Sequence, residues 1–129
     1  MENIFTGTFS GDINKLTLEN ENFRKVIFTD NNQQLVLMSL LPGEDIGMEI
    51  HYNVTQFIRI EKGSGEATLN WGQGTRRVWL SDDSFVMIPA GTHHNIFNTS
   101  KTEKMKLYTI YSPPNHPSNR IDRYKPEDD

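Results

Sequence analysis

A chain of 129 residues with a formal net charge of −4 and no cysteine is the size of one domain and long enough to bury a core without cross-links. The missing thiols exclude disulfides and thiolate metal sites, so any metal must be held by nitrogen and oxygen donors. A sequence pI near 5.5 argues against a nucleic-acid polyanion as the main partner, since that binding is driven by clustered Lys and Arg.

In chain order, the start MENIFTGTFSGD has no basic n-region and no apolar run reaches the length of a membrane span, so a soluble, cytoplasmic protein is expected. Ile4, Phe5 and Phe9 lie among glycines, and Ile13 and Leu16 have a spacing that permits one helical turn. From Phe23 the texture changes to short apolar runs bounded by turn residues: FRKVIFT, QLVLMSL, MEIH, QFIRIEKG, EATLN, TRRVWL, SFVMIP, HNIFN and KMKLYTIY. About nine short strands at near-regular spacing, with no convincing amphipathic helix, predict an all-β sandwich or barrel and exclude a parallel α/β fold. QLVLMSL and SFVMIP are apolar on both parities, which predicts that both faces of those strands are covered. Pro113-Pro114 cannot continue a ladder, so the barrel core is expected over about 23–112, with 113–129 as an arm or tail whose acidic end, KPEDD, frays into solvent.

The chemistry concentrates in GEDIGMEIHYNVTQFIRIEKG, residues 43–63. Glu49 and His51, one residue apart, share a face if the stretch is a strand, and Gln56 follows. An imidazole, a carboxylate and an amide oxygen suit a first-row divalent cation but lack a further strong ligand; His94, in PAGTHHN, is the obvious supplier. If Gln56 faces the interior, so do Ile58 and Ile60, while Phe57, Arg59 and Glu61 point away; if His94 faces in, so do Ile96 and Asn98. The interior is then apolar around a polar centre, as in a small-molecule pocket. His93 is turned away by parity, His116 is expected in a loop, and Arg76-Arg77 read as a solvated edge. Trp71 and Trp79 read as core or interface aromatics. Tyr108 and Tyr111 have opposite parities, so at most one faces the pocket.

The spacing runs Gly43, five residues, Glu49, one, His51, four, Gln56, six, Gly63; downstream it runs Asp83, five, Pro89-Ala90-Gly91, two, His94, three, Asn98. These stretches resemble the two motifs of the cupin superfamily, G-x5-H-x-H-x3,4-E-x6-G and G-x5-P-x-G-x2-H-x3-N, and Glu49-Ile50-His51 with Gln56-Phe57 resembles a bacterial subgroup labelled mannose-6-phosphate-isomerase-like. The resemblance implies a small jelly-roll barrel, the cupin double-stranded β-helix. It also implies one divalent transition metal (Zn, Mn, Fe or Ni) on Glu49, His51, Gln56 and His94, with Glu49 in place of the usual His and Gln56 in place of the usual Glu. It further implies a small-molecule partner and a homodimer. Three activities follow: metal-assisted isomerisation or proton transfer on a small oxygenated, possibly sugar-derived substrate; a metal-dependent dioxygenase; and a non-catalytic binding module.

Overall fold

In the computed structural model, which describes residues 7–127 apart from 71 and 73, the first regular element is a helix, α1 (Ile13–Glu19). Asp12 caps it, its carboxylate accepting from the Lys15 N–H at 3.1 Å, which satisfies one of the orphan donors of a helix start. Sequence periodicity allowed a single turn here and missed the helix. A seven-residue element gains little from propensity, and this one is held by packing: Thr17 is fully buried as the helix lies on the sheet behind it.

The strands follow as β1 (Arg24–Thr29), β2 (Gln34–Leu40), β3 (Thr55–Lys62), β4 (Gly65–Asn70), β5 (Thr75–Leu80), β6 (Phe85–Ile88), β7 (His93–Asn98), β8 (Met105–Ser112) and β9 (Ile121–Asp122). They form two antiparallel sheets, one ordered β6-β3-β8-β2-β1-β9 and the other β5-β4-β7. The inward residues of both sheets, among them Val36, Met38, Ile58, Ile60 and Leu107 from one and Ala67, Leu80 and Ile96 from the other, make one core. The expected all-β double-sheet jelly-roll architecture is therefore the one observed.

Three expectations need correction. MEIH is not a strand: it meets β7 through one isolated bridge, Glu49 to His94. In the segment after β8, β9 pairs with β1 and the Asp122 carboxylate accepts from buried Arg24 at 2.6 Å. KPEDD is likewise anchored at its start, Lys125 meeting Asp45 at 2.6 Å, while residues 128 and 129 lie outside the described residues. Of the two settings expected for Trp79, the core is ruled out, since it is 75% exposed; Trp71, Ile4 and Phe5 lie outside the described residues.

The expectation of two covered faces divides. On β2 it holds, because α1 lies over the outer face: Leu37 and Ser39 are buried there, Asn14 donates to Glu61 at 3.2 Å, and Lys106 donates to the Asn20 carbonyl. Glu61 thus points away from the interior, as parity requires, yet is buried under the helix. On β6 the expectation fails: Val86 and Ile88 face the core, but Phe85 and Met87 are 62% and 53% exposed.

Candidate metal centre

Two stretches carry the candidate ligands, and they are built differently. Along residues 43–49 the chain runs beside β7, bonded Gly43 N–H to Asn98 O (3.2 Å), Asn98 N–H to Glu44 O (2.9 Å), Ile46 N–H to Ile96 O (3.0 Å), and Glu49 and His94 to each other twice at 2.8 Å. Asp45 bridges Phe97 and Glu49 bridges His94, four steps on one side against three on the other, so one extra residue is inserted. Gly47 absorbs it at φ 105, a conformation that glycine tolerates best, and its N–H is held by Asn95 Oδ1 at 2.9 Å. The bulge resets parity. Ile46 is buried, Met48 is exposed, and Glu49 turns inward, which strict alternation from Ile46 would forbid. Beyond Glu49 the chain leaves the edge, and His51 sits on the crossover to β3, its carbonyl accepting from Gly91 N–H at 2.8 Å.

His94 comes from the regular strand. Its Nδ1 lies 3.0 Å from the Thr92 carbonyl; a carbonyl can only accept, so Nδ1 carries the proton and the Nε2 lone pair points inward. That Nε2 is 3.9 Å from Glu49 Oε1, and His51 Nε2 is 3.5 Å from the same oxygen. The two imidazoles are 5.5 Å apart by ring centroids. Glu49, His51 and His94 offer one ligand atom each, all within 4.8 Å of one another, and so could hold a metal ion.

Gln56 is the first inward residue of β3, in a row that runs Gln34, Tyr111, Gln56, Ile88 across four strands. Its Nε2 donates to Thr109 Oγ1 at 2.9 Å, which fixes the amide, while Oε1 is buried without a partner. His51 Nε2 and His94 Nε2 are also buried without a hydrogen-bond partner.

Electrostatics favour the ligating protonation states. Burial pushes the Glu49 carboxyl up, but the His51 imidazole beside it, with His94 and Arg24, outweighs this and holds it below the usual value. Burial lowers His94, against the opposing pull of the Thr92 carbonyl and Glu49, and favours the neutral imidazole.

The other motif positions have structural work. Asn98 donates to the carbonyls of Leu40, Leu41 and Glu103 and accepts from Ser100 N–H, tying three segments together. Gly63 sits at φ 129, where a side chain is strained, and a Cβ there would press on Met105 Cα at 3.0 Å, so glycine is the residue that suits this turn. Asp83 stands where the second motif has glycine and adopts φ 71, a left-handed conformation that Asp bears better than most residues. His93 is exposed and His94 buried, as parity indicated; of the two tyrosines, Tyr111 is the buried one.

Sequence reasoning missed Gln34. Buried at the start of β2, it accepts from the backbone N–H groups of Asn115 and His116 and donates to the His116 carbonyl at 2.7 Å. This folds the segment after β8 back against the barrel and brings His116 Nε2 to 3.3 Å from the Tyr111 hydroxyl, with the Tyr111 ring edge-on to His51 at 5.9 Å. A glutamine at inward parity in the run QLVLMSL was the available signal.

Residues 36–111 match the family described as Cupin domain. Protein L612 of Acanthamoeba polyphaga mimivirus is 48% identical over 116 residues, covering 90% of this chain and 72% of its own length. YrkC of Bacillus subtilis is 46% identical over 121 residues, 91% of this chain; the chain spans 63% of YrkC, less than two thirds. The crystal structure of BH2720 from Bacillus halodurans superposes with a TM-score of 0.87 at 37% identity, covering 97% of this chain and 96% of that one. A family match over more than half the sequence, on a double-sheet barrel with a Glu/His/His cluster inside, makes this chain a member of the cupin domain family.

Proposed function

We propose that Glu49, His51, Gln56 and His94 hold one divalent transition-metal ion, zinc, manganese, iron or nickel. The barrel uses it on a small oxygenated, sugar-like molecule by isomerisation or a related proton transfer. The observation that carries this reading is the trio of buried polar atoms without hydrogen-bond partners: His51 Nε2, His94 Nε2 and Gln56 Oε1. Each such atom costs about 1–3 kcal/mol when left unpaired, and one cation offsets all three. Two imidazoles, a carboxylate and an amide oxygen are a donor set that leaves positions open to a substrate.

When bound, the ion supplies Lewis-acid polarisation of substrate oxygens. The chain's own residues do the rest. Glu49 stays ionised, the Thr92 carbonyl keeps His94 Nε2 aimed inward, and Thr109 keeps Gln56 Oε1 aimed inward. Ile58, Ile88 and Ile96 exclude water from the inner wall. Tyr111, with its hydroxyl beside His116 and its ring against His51, is the group best placed to move a proton.

Elemental analysis of protein purified without added metal or a His tag is expected to find stoichiometric metal, and NMR to show substrate protons exchanging with solvent in a panel of aldoses and ketoses. A metal-free preparation overturns the metal site; metal without exchange overturns the reaction. The apolar wall favours one second reading, oxygen chemistry at the same ion, which metal-dependent oxygen consumption would identify. A homodimer in the cytoplasm completes the proposal. Light scattering checks the dimer, and no helix among the described residues is long and apolar enough to cross a membrane.

A further inference from the structure

The two sheets do not close on each other everywhere: β5 is an edge of one and β6 an edge of the other, and no strand among the described residues joins them. In the seam lies an open cleft of about 310 Å³ lined by Leu69, Arg76, Met87, Pro89 and Thr92. Among the described residues, Arg76 is its one charged group. Arg76 pairs with Leu69 across β5 and β4, and Leu69 pairs with His94 across β4 and β7, so His94, Leu69 and Arg76 occupy one row of the small sheet. Strand spacing puts the Cα atoms of Arg76 and His94 about 10 Å apart. Val78 and Leu80, at the same parity as Arg76, face the core, so Arg76 stands on the concave side of its strand, at the exposed end. Thr92, which lines the cleft, also provides the carbonyl that fixes His94.

Arg76 makes no hydrogen bond or ion pair among the described residues, in a chain where 17 acidic residues outnumber 13 Lys and Arg. Arg59 contrasts with it: it lies on the outer face and is held by Glu61 at 2.8 Å and Asp83 at 2.9 Å. The Leu69, Met87 and Pro89 walls are apolar, and beside them an opposite charge is attracted more strongly than in open water. A guanidinium presents a planar fork of donors that matches carboxylate and phosphate oxygens.

We propose that Arg76 is the anion anchor of this barrel: the cleft between β5 and β6 takes the carboxylate or phosphate of a small molecule whose other oxygens meet the Glu49–His51–His94 cluster. The substrate class narrows to short oxygenated acids or phosphate esters. The inner contact rests on the metal reading of the previous section; the outer one does not.

Calorimetric titration with succinate, glycerol 3-phosphate and neutral glycerol, on cobalt-loaded and metal-free protein, tests this. At least one anion is expected to bind wild type more tightly than glycerol and to weaken about tenfold or more in Arg76→Ala and Arg76→Gln, with Arg76→Lys intermediate. Which anion binds tells the carboxylate source from the phosphate source. Melting temperature should not move, because Arg76 is exposed. If neither anion outbinds glycerol on wild type, or if affinity is unchanged in both Arg76→Ala and Arg76→Gln, the anchor is overturned. Arg76-dependent anion binding in a protein that takes up no cobalt supports the anchor while overturning the metal site. Cobalt uptake with no Arg76 dependence does the reverse.

Discussion

The two arms that face each other across the candidate centre reach the same point by opposite means. β7 delivers His94 by plain alternation, with His94, Ile96 and Asn98 inward and His93 outward. The 43–51 arm delivers Glu49 only after an inserted residue at Gly47 has reset its parity, and His51 only after the chain has left the sheet. A regular strand fixes a side chain through its whole ladder. An edge segment held at a few points relies on each of them, so its ligands depend on single backbone devices.

Removing a ligand from either arm tests whether they are equal partners. Both His94→Ala and Glu49→Ala should abolish stoichiometric zinc or cobalt binding, read by elemental analysis and cobalt absorption. If Glu49→Ala keeps full metal while His94→Ala loses it, the irregular arm is a scaffold and not a ligand source.

Restoring the family's acid comes next in size. Gln56→Glu should tighten metal binding by about tenfold or more through the added charge, yet lower the melting temperature of the metal-free protein, because position 56 is buried and a carboxylate there is desolvated without a counter-charge. An unchanged metal affinity would place residue 56 outside the ligand set.

Acidification separates the arms by pH. In the metal-free protein, burial holds folded His94 below its reference value of 6.5, so the unfolded chain takes up that proton first. Stability should therefore fall as pH drops from 6.5 through the folded value. Glu49, held below 4.5, adds a second loss that begins under that pH. Denaturant midpoints against pH should lose the upper step in His94→Gln and the lower step in Glu49→Gln.

The devices themselves are worth less. Gly47→Ala forces a side chain onto φ 105 and should cost about 1–3 kcal/mol in urea unfolding while also weakening metal binding, since Glu49 sits two residues on. Asp83→Gly relieves φ 71 in the turn before β6 but gives up an exposed ion pair with Arg59, so the net change should stay within roughly 0.5 kcal/mol.

How far the sequence could be read follows the same division. Where a strand lies inside a ladder, period-2 alternation names its inward residues, and Gln56, Ile58, Ile60, His94, Ile96 and Asn98 are all buried as parity requires. MEIH satisfied the same pattern and is not a strand, because pairing depends on the partner's register and not on the segment itself. Phe85 and Met87 resemble Leu37 in sequence texture; only the position of α1 decides that Leu37 is covered and they are not.

The sequence by itself determined the all-β class, the turn positions that space the two motifs, and the ligand candidates, since composition and local periodicity act over a few residues. Tertiary structure alone decided that Glu49, His51 and His94 converge within 4.8 Å, that Gln34 folds the tail back toward Tyr111, and that Arg76 shares a row with His94. Each of those joins residues far apart in the chain, and their meeting is set by register and by which sheet edges stay open, quantities that no short stretch of sequence encodes.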